Sequence, residues 1–170
     1  MDFLRTLVAR LRVVHPVVGI ALVAAWMALI WMLSSQPPTN ISKGSPTGAW
    51  ISNLAHGPEF AGLALWLALA ARRAGASVAP TARAAFWIVA FCVIYAVVDE
   101  LHQSTVPGRD ASVFDILTDL CGAIAAVSVL RATGDKRKFR RAILLGIAAC
   151  IAAAGLATFV PRMAPEITWL

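Results

Sequence analysis

Apolar residues fall along this chain in five long runs separated by short polar or basic stretches. The runs cover about Pro16 to Leu33, Leu54 to Ala71, Ala84 to Val98, Ser112 to Leu130 and Ala142 to Val160. Crossing ~30 Å of hydrocarbon takes about 20 helical residues, so the shorter runs must borrow flanking or polar positions. In lipid the backbone has to satisfy its own polar groups, which predicts helices and not strands. Pro16 suits the first position of a helix, where its missing N–H would have no partner anyway. The stretch SSQPPTNISKGSPTG after the first run lacks helical periodicity and predicts a loop. No internal repeat or low-complexity segment interrupts the pattern. The expected fold class is all-α: a polytopic transmembrane bundle of about five spans, forming a single membrane domain over residues 1–170.

Composition agrees with this pattern. The chain is 59% hydrophobic and 14% charged, whereas a soluble domain carries about a quarter charged residues. Its net charge of +6 does not indicate a nucleic-acid partner, because the basic residues lie between apolar runs and not along one polar face. Their placement reports topology instead. Arg5, Arg10, Arg12, Arg72, Arg73, Arg83, Arg131, Lys136, Arg137, Lys138, Arg140 and Arg141 fall on one side of a five-span arrangement; only Lys43, Arg109 and Arg162 fall on the other. The positive-inside rule then places the amino terminus in the cytoplasm and the carboxyl terminus outside. Four or six spans would destroy that alternation. The first run follows basic residues as a signal peptide would, but it is long and lacks a small-x-small cleavage site, so a retained helix is expected. Cys92, Cys121 and Cys150 each sit within an apolar run, without metal or redox spacing, and read as small buried thiols.

On this topology the acidic residues and histidines gather at one level. His56 and Glu59 open the second span; Asp99, Glu100, His102 and Gln103 close the third; Arg109 and Asp110 occupy the short loop; Asp115 and Asp119 lie in the first turns of the fourth. Asp2, His15, Asp135 and Glu166 fall elsewhere. His56/Glu59 and Asp99/His102 are spaced i,i+3 and Asp115/Asp119 i,i+4, spacings that share a helix face. An ionisable group facing lipid costs several kcal/mol, so these faces are expected to turn inward and pair. Each residue also has a local reading. Asp115 fits a capping box with Ser112, Glu59 a first-turn acid beside Pro58, and Asp119 an interhelical hydrogen-bonding group. Arg109 fits a surface residue after the Pro107-Gly108 turn, and Asp110 a solvated or N-capping residue. Asp99 and Glu100 are about 100° apart on a helix, so one of them is expected to be structural.

The stretch Tyr95-Ala-Val-Val-Asp99-Glu100-Leu-His102-Gln103, then Val106-Pro107-Gly108-Arg109, then Asp115, Asp119 and Gly122 resembles the VanZ-like family. Ala55-His56-Gly-Pro-Glu59-Phe60 resembles that family's A-H-x-x-E-Y element, with Phe60 in place of tyrosine, and Ser34-Ser35-Gln36 its S-x-Q element. The resemblance covers about residues 30 to 130, leaving a basic cytoplasmic linker over 131–141 and an extra fifth span. It implies a small multi-pass protein of the bacterial envelope and inner membrane, in a family whose named member is associated with teicoplanin resistance.

Four readings of the polar cluster stay open. As a binding or accessory protein, the chain would hold an anionic lipid, a lipid-linked precursor or another membrane subunit through Gln103, Arg109, Asp115 and Asp119, with Arg109 matching phosphate oxygens. As an enzyme acting on a lipid-linked phosphate, it would draw acid/base groups from His56, Glu59, Asp99, Glu100 and His102, although no nucleophile motif or Gly-rich phosphate loop is present. As a metal site, His56, His102 and Asp119 would ligate Zn²⁺ or Mn²⁺. As a polar clamp, the cluster would only hold spans two, three and four in register. Short spans without repeats or broken helices do not read as a secondary transporter.

Overall fold

The computed structural model describes residues 2–38, 45–109 and 111–163. Lys43, Asp110 and Glu166 lie outside the described residues, so their readings as loop and capping positions are not addressed. The described residues are helical and contain no strand. A short helix α1 (Asp2–Arg10) and a 3₁₀ turn (Leu11–Val13) lead into α2 (Pro16–Ser34), α3 (Pro46–Ala71), α4 (Ala82–Gln103), α5 (Val113–Arg131) and α6 (Lys136–Met163). The last five are long and apolar enough to cross a membrane.

Three boundaries differ from the pattern of apolar runs, each for a local reason. Helix α3 begins eight residues before Leu54, because the Ser45 side chain accepts from Gly48 N–H at 3.0 Å and Pro46 occupies the first turn. The last residues of the expected loop are therefore helical. Helix α4 continues past Val98 to Gln103, since Asp99, Glu100 and Gln103 find buried partners there. Helix α6 starts at Lys136 inside the expected basic linker. Asp135 caps it, accepting from Arg137 N–H at 2.8 Å and Lys138 N–H at 3.0 Å, and the bond from Lys138 followed by that from Arg137 holds its carboxyl below the usual range.

Helix α5 lies at the centre, packed against α3, α4 and α6, while α2 packs on α3 and α4. The core runs through Ile30, Phe60, Leu63, Leu69, Ala96 and Ala123. Large apolar side chains such as Ile20, Trp31, Phe86, Trp87, Ile94 and Leu144 face outward. An apolar exterior around buried carboxyls reverses the soluble pattern and is what a lipid-facing surface requires. Cys92 and Cys150 are buried and Cys121 half-buried, all as free thiols. The Tyr95 hydroxyl donates to the Met27 carbonyl at 2.7 Å and joins α4 to α2. Tyr95→Phe should lower stability by about 1 kcal/mol in detergent unfolding, the net worth of one hydrogen bond.

The bundle has two chemically distinct ends. At one, Arg72 donates to the Leu11 carbonyl at 3.0 Å and also to that of Val14, Arg131 to Pro80 at 2.9 Å, and Arg5 to Thr133 at 2.8 Å. Those contacts draw α1 and two basic connections together. The carboxyl-rich residues occupy the opposite end.

Candidate functional site

Helices α3 and α5 approach closely enough at this end that only glycine fits their crossing. A Cβ at Gly122 would lie 2.0 Å from the Gly57 carbonyl oxygen. The close approach brings His56, next to Gly57, against Asp119, one turn before Gly122. His56 Nδ1 and Asp119 Oδ1 are 3.1 Å apart. Pro58 lies within α3 and removes one helical N–H donor there.

Asp99 and Glu100 are each only 1% exposed and face different neighbours. Asp99 turns to α2: its Oδ2 accepts from Ser34 Oγ and from Gln103 Nε2, both at 2.8 Å. Glu100 turns to α5: its Oε2 accepts from Ser112 N–H at 2.8 Å. Both are engaged, one on each flank of α4. The expected capping box is corrected by this bond. Ser112 does cap α5, accepting from Phe114 N–H at 3.2 Å, but the partner of its own N–H is Glu100 from another helix and not Asp115. Asp115 remains buried, with Oδ1 unpartnered.

Glu59 is the fourteenth residue of α3 and not a first-turn acid, because the helix starts so early. Its carbonyl accepts from Trp26 Nε1 at 2.7 Å. His102 is separated from this group. Since α4 persists, residues 100 and 102 point about 200° apart, and the His102 ring stacks on Trp31 with centroids 3.7 Å apart. Its Nε2 lies 2.8 Å from Ser35 Oγ. The anticipated trio of His56, His102 and Asp119 is therefore not assembled. Glu100 takes the third place: ligand atoms of His56, Glu100 and Asp119 all lie within 4.8 Å of one another.

Arg109 follows a turn in which Gly108 has φ +81° and Arg109 N–H donates to the Val106 carbonyl at 3.1 Å, as Pro-Gly at its centre favours. Half-buried and not merely superficial, its guanidinium donates to Gln103 Oε1 and the Gln36 carbonyl at 2.8 Å, and more weakly to Leu33 at 3.4 Å. An open cleft of about 550 Å³ lies beside it, bordered by Gln36, His56, Glu59, Gln103, Ser112 and Asp115, with Ala157 and Pro161 of α6 closing one wall. Glu100 and Asp119 do not border the cleft, although His56, bonded to Asp119, does.

A family model described as VanZ/LLP1 matches residues 19–134 of the chain. The chain belongs to this VanZ-like family. No curated protein and no solved structure is significantly similar to it. The matched segment of the VanZ-like chain contains every residue of the cluster from Ser34 to Gly122, whereas α6 lies beyond it. Yet α6 contributes to the cleft: Asn53 Nδ2 donates to Thr158 Oγ1 at 3.1 Å and fixes it to α3. That contact was not legible in the sequence, because Asn53 and Thr158 are neutral and isolated in their runs. Trp31 was hidden for a related reason, being one aromatic in an apolar span. Gly122 stood in the motif that carries the family resemblance, but nothing in the sequence paired it with Gly57.

Proposed function

We propose that this VanZ-like membrane protein is a binding or accessory protein of the bacterial envelope, seated in the inner membrane, that holds a phosphate-bearing head group in the cleft. The lipid would be an anionic lipid or a lipid-linked precursor. The carrying observation is Arg109 at the rim of an open, polar-walled cleft, its guanidinium fixed by Gln103 and Gln36. Those bonds orient the planar fork, and its remaining N–H groups match phosphate oxygens. Glu59 and Asp115 border the same cleft and would accept from hydroxyl or amine groups of that head group. Segregation of the arginine-rich connections at the far end supports a cytoplasmic amino terminus and a cleft at the outer interface.

The test is binding of short-chain phosphatidate and polyprenyl phosphate to the full chain in nanodiscs, read by native mass spectrometry. Arg109→Ala should weaken binding by tenfold or more, about 1.4 kcal/mol, and Arg109→Lys by less. A matched thermal melt separates lost binding from lost folding. Equal affinity in wild type and a folded Arg109→Ala variant removes the proposal. Teicoplanin sensitivity of cells expressing the two forms is the accompanying phenotype.

The second reading is an enzyme acting on a lipid-linked phosphate. It is favoured by the His56–Asp119 pair at the cleft wall, which resembles a base and its orienting carboxyl. Turnover of either lipid by purified protein, lost in His56→Ala, would replace binding by catalysis.

A further inference from the structure

Behind the cleft, three carboxyl-bearing or imidazole side chains converge from three different helices, and their chemistry is not exhausted by their mutual bonds. We propose that His56, Glu100 and Asp119 form a site for one divalent transition-metal ion, Zn²⁺ or Mn²⁺, next to the cleft that His56 borders. Their ligand atoms lie within 4.8 Å of one another. An independent observation points to a missing partner. Glu100 Oε1 and Asp119 Oδ2 are buried and unpartnered, on residues 1% exposed. Their other oxygens are already fixed, by Ser112 N–H and by His56 Nδ1. Buried acceptors in a folded protein ordinarily have a donor or a cation.

Charge leads to the same place. Asp99, Glu100, Asp115 and Asp119 are all buried at this end, and His56–Asp119 is the ion pair among the described residues there. Arg109 also borders the cleft, but its bonds are to Gln103 and to backbone carbonyls and not to these carboxyls. Buried carboxyls in hydrocarbon must be protonated, paired or neutralised by a cation, and a single divalent ion would offset two of them at once. The donor set selects the ion. One imidazole with carboxylate oxygens suits Zn²⁺ or Mn²⁺, whereas Mg²⁺ keeps several waters and takes one or two carboxylates. Three protein ligands would leave a coordination position open, and of the three residues His56 borders the cleft. Asp115 stands beside it with Oδ1 free to hold a metal-bound water.

The site deepens the head-group reading and rests on it for its purpose. A divalent charge behind a wall of carboxyls makes the cleft attractive to phosphate, which Arg109 alone would have to hold against Glu59 and Asp115.

The test uses the full chain in detergent, stripped with chelator and then returned to Zn²⁺, Mn²⁺ or Mg²⁺. Elemental analysis after desalting should give about one Zn²⁺ or Mn²⁺ per chain. Saturation should raise Tm by about 5 °C or more. Glu100→Gln and Asp119→Asn, which preserve shape, should lower affinity at least tenfold, while His102→Ala should leave it unchanged. Wild type that retains no metal and shows no shift overturns the site, as does an equal shift with Mg²⁺ or equal binding in the two variants. The wild-type measurement decides even if a variant fails to fold. Metal binding without Arg109-dependent lipid binding would overturn the head-group reading alone. Lipid binding indifferent to chelation, with no metal retained, would overturn the metal site alone.

Discussion

Replacing His56 by alanine is expected to lower stability by about 3 kcal/mol in metal-free protein, measured by SDS-driven unfolding with chelator present. The magnitude follows from what is left behind. Asp119 is 1% exposed, and without His56 neither of its oxygens has a partner. Neutral interhelical hydrogen bonds in membranes are worth about 0.6 kcal/mol on average, so a loss of that size would mean an ordinary polar contact. A larger loss is expected because a buried carboxyl is stranded, which costs about 3–5 kcal/mol when one partner of a buried pair is removed. Water entering through the cleft that His56 borders places the figure at the lower end. The second corner of a cycle sharpens the test. Asp119→Leu combined with His56→Ala, set against each single variant, should recover part of the loss, with a coupling of about 1–3 kcal/mol. Additive single-variant effects would show that the pair does not join α3 to α5.

Gly122→Ala is expected to destabilise the protein by about 2 kcal/mol and Gly122→Leu by more, despite the helix propensity of both residues. Alanine gains about 1 kcal/mol over glycine inside a helix, so an unobstructed position would be stabilised. Gly155 in α6 is such a position, with nothing within 4 Å of an added Cβ, and Gly155→Ala serves as the control. At Gly122 the added Cβ meets the Gly57 carbonyl oxygen at 2.0 Å and the Gly57 Cα at 3.0 Å, both backbone atoms. Backbone cannot rotate away, so α3 and α5 must part. His56 and Asp119 flank that crossing, and their 3.1 Å separation would widen with it. The variant should therefore lose metal and head-group binding along with stability. If Gly122→Ala behaved like Gly155→Ala, the crossing of α3 and α5 would not depend on the missing Cβ.

The polar cluster was legible in the sequence to an unequal degree. His56, Asp99, Glu100, Asp115 and Asp119 were found because hydrophobic runs make ionisable residues conspicuous and the bilayer restricts where they can go. Which of them touch was not readable. Spacing joined Asp99 to His102 on one face, and the structure keeps them on the α2 side, where Ser34 and Ser35 meet them. Spacing could not say that Glu100, one position on, would reach the Ser112 N–H across the bundle. The capping-box reading failed for the same reason: a local donor was satisfied by a distant acceptor.

The order of apolar runs by itself determined that this is a membrane protein with five span-length helices, since twenty-residue apolar stretches leave the backbone no alternative in lipid. The motif residues also determined the family. Whereas α3 and α6 start at local caps, Ser45 and Asp135, the carboxyl end of α4 was decided only by the tertiary structure, because Asp99 and Gln103 are helical where buried partners receive them. So was the composition of the site. Neighbours across α3, α4 and α5 depend on how closely two helices cross, and that distance is set by side-chain volume at Gly57 and Gly122, separated by 65 positions and invisible to any local pattern.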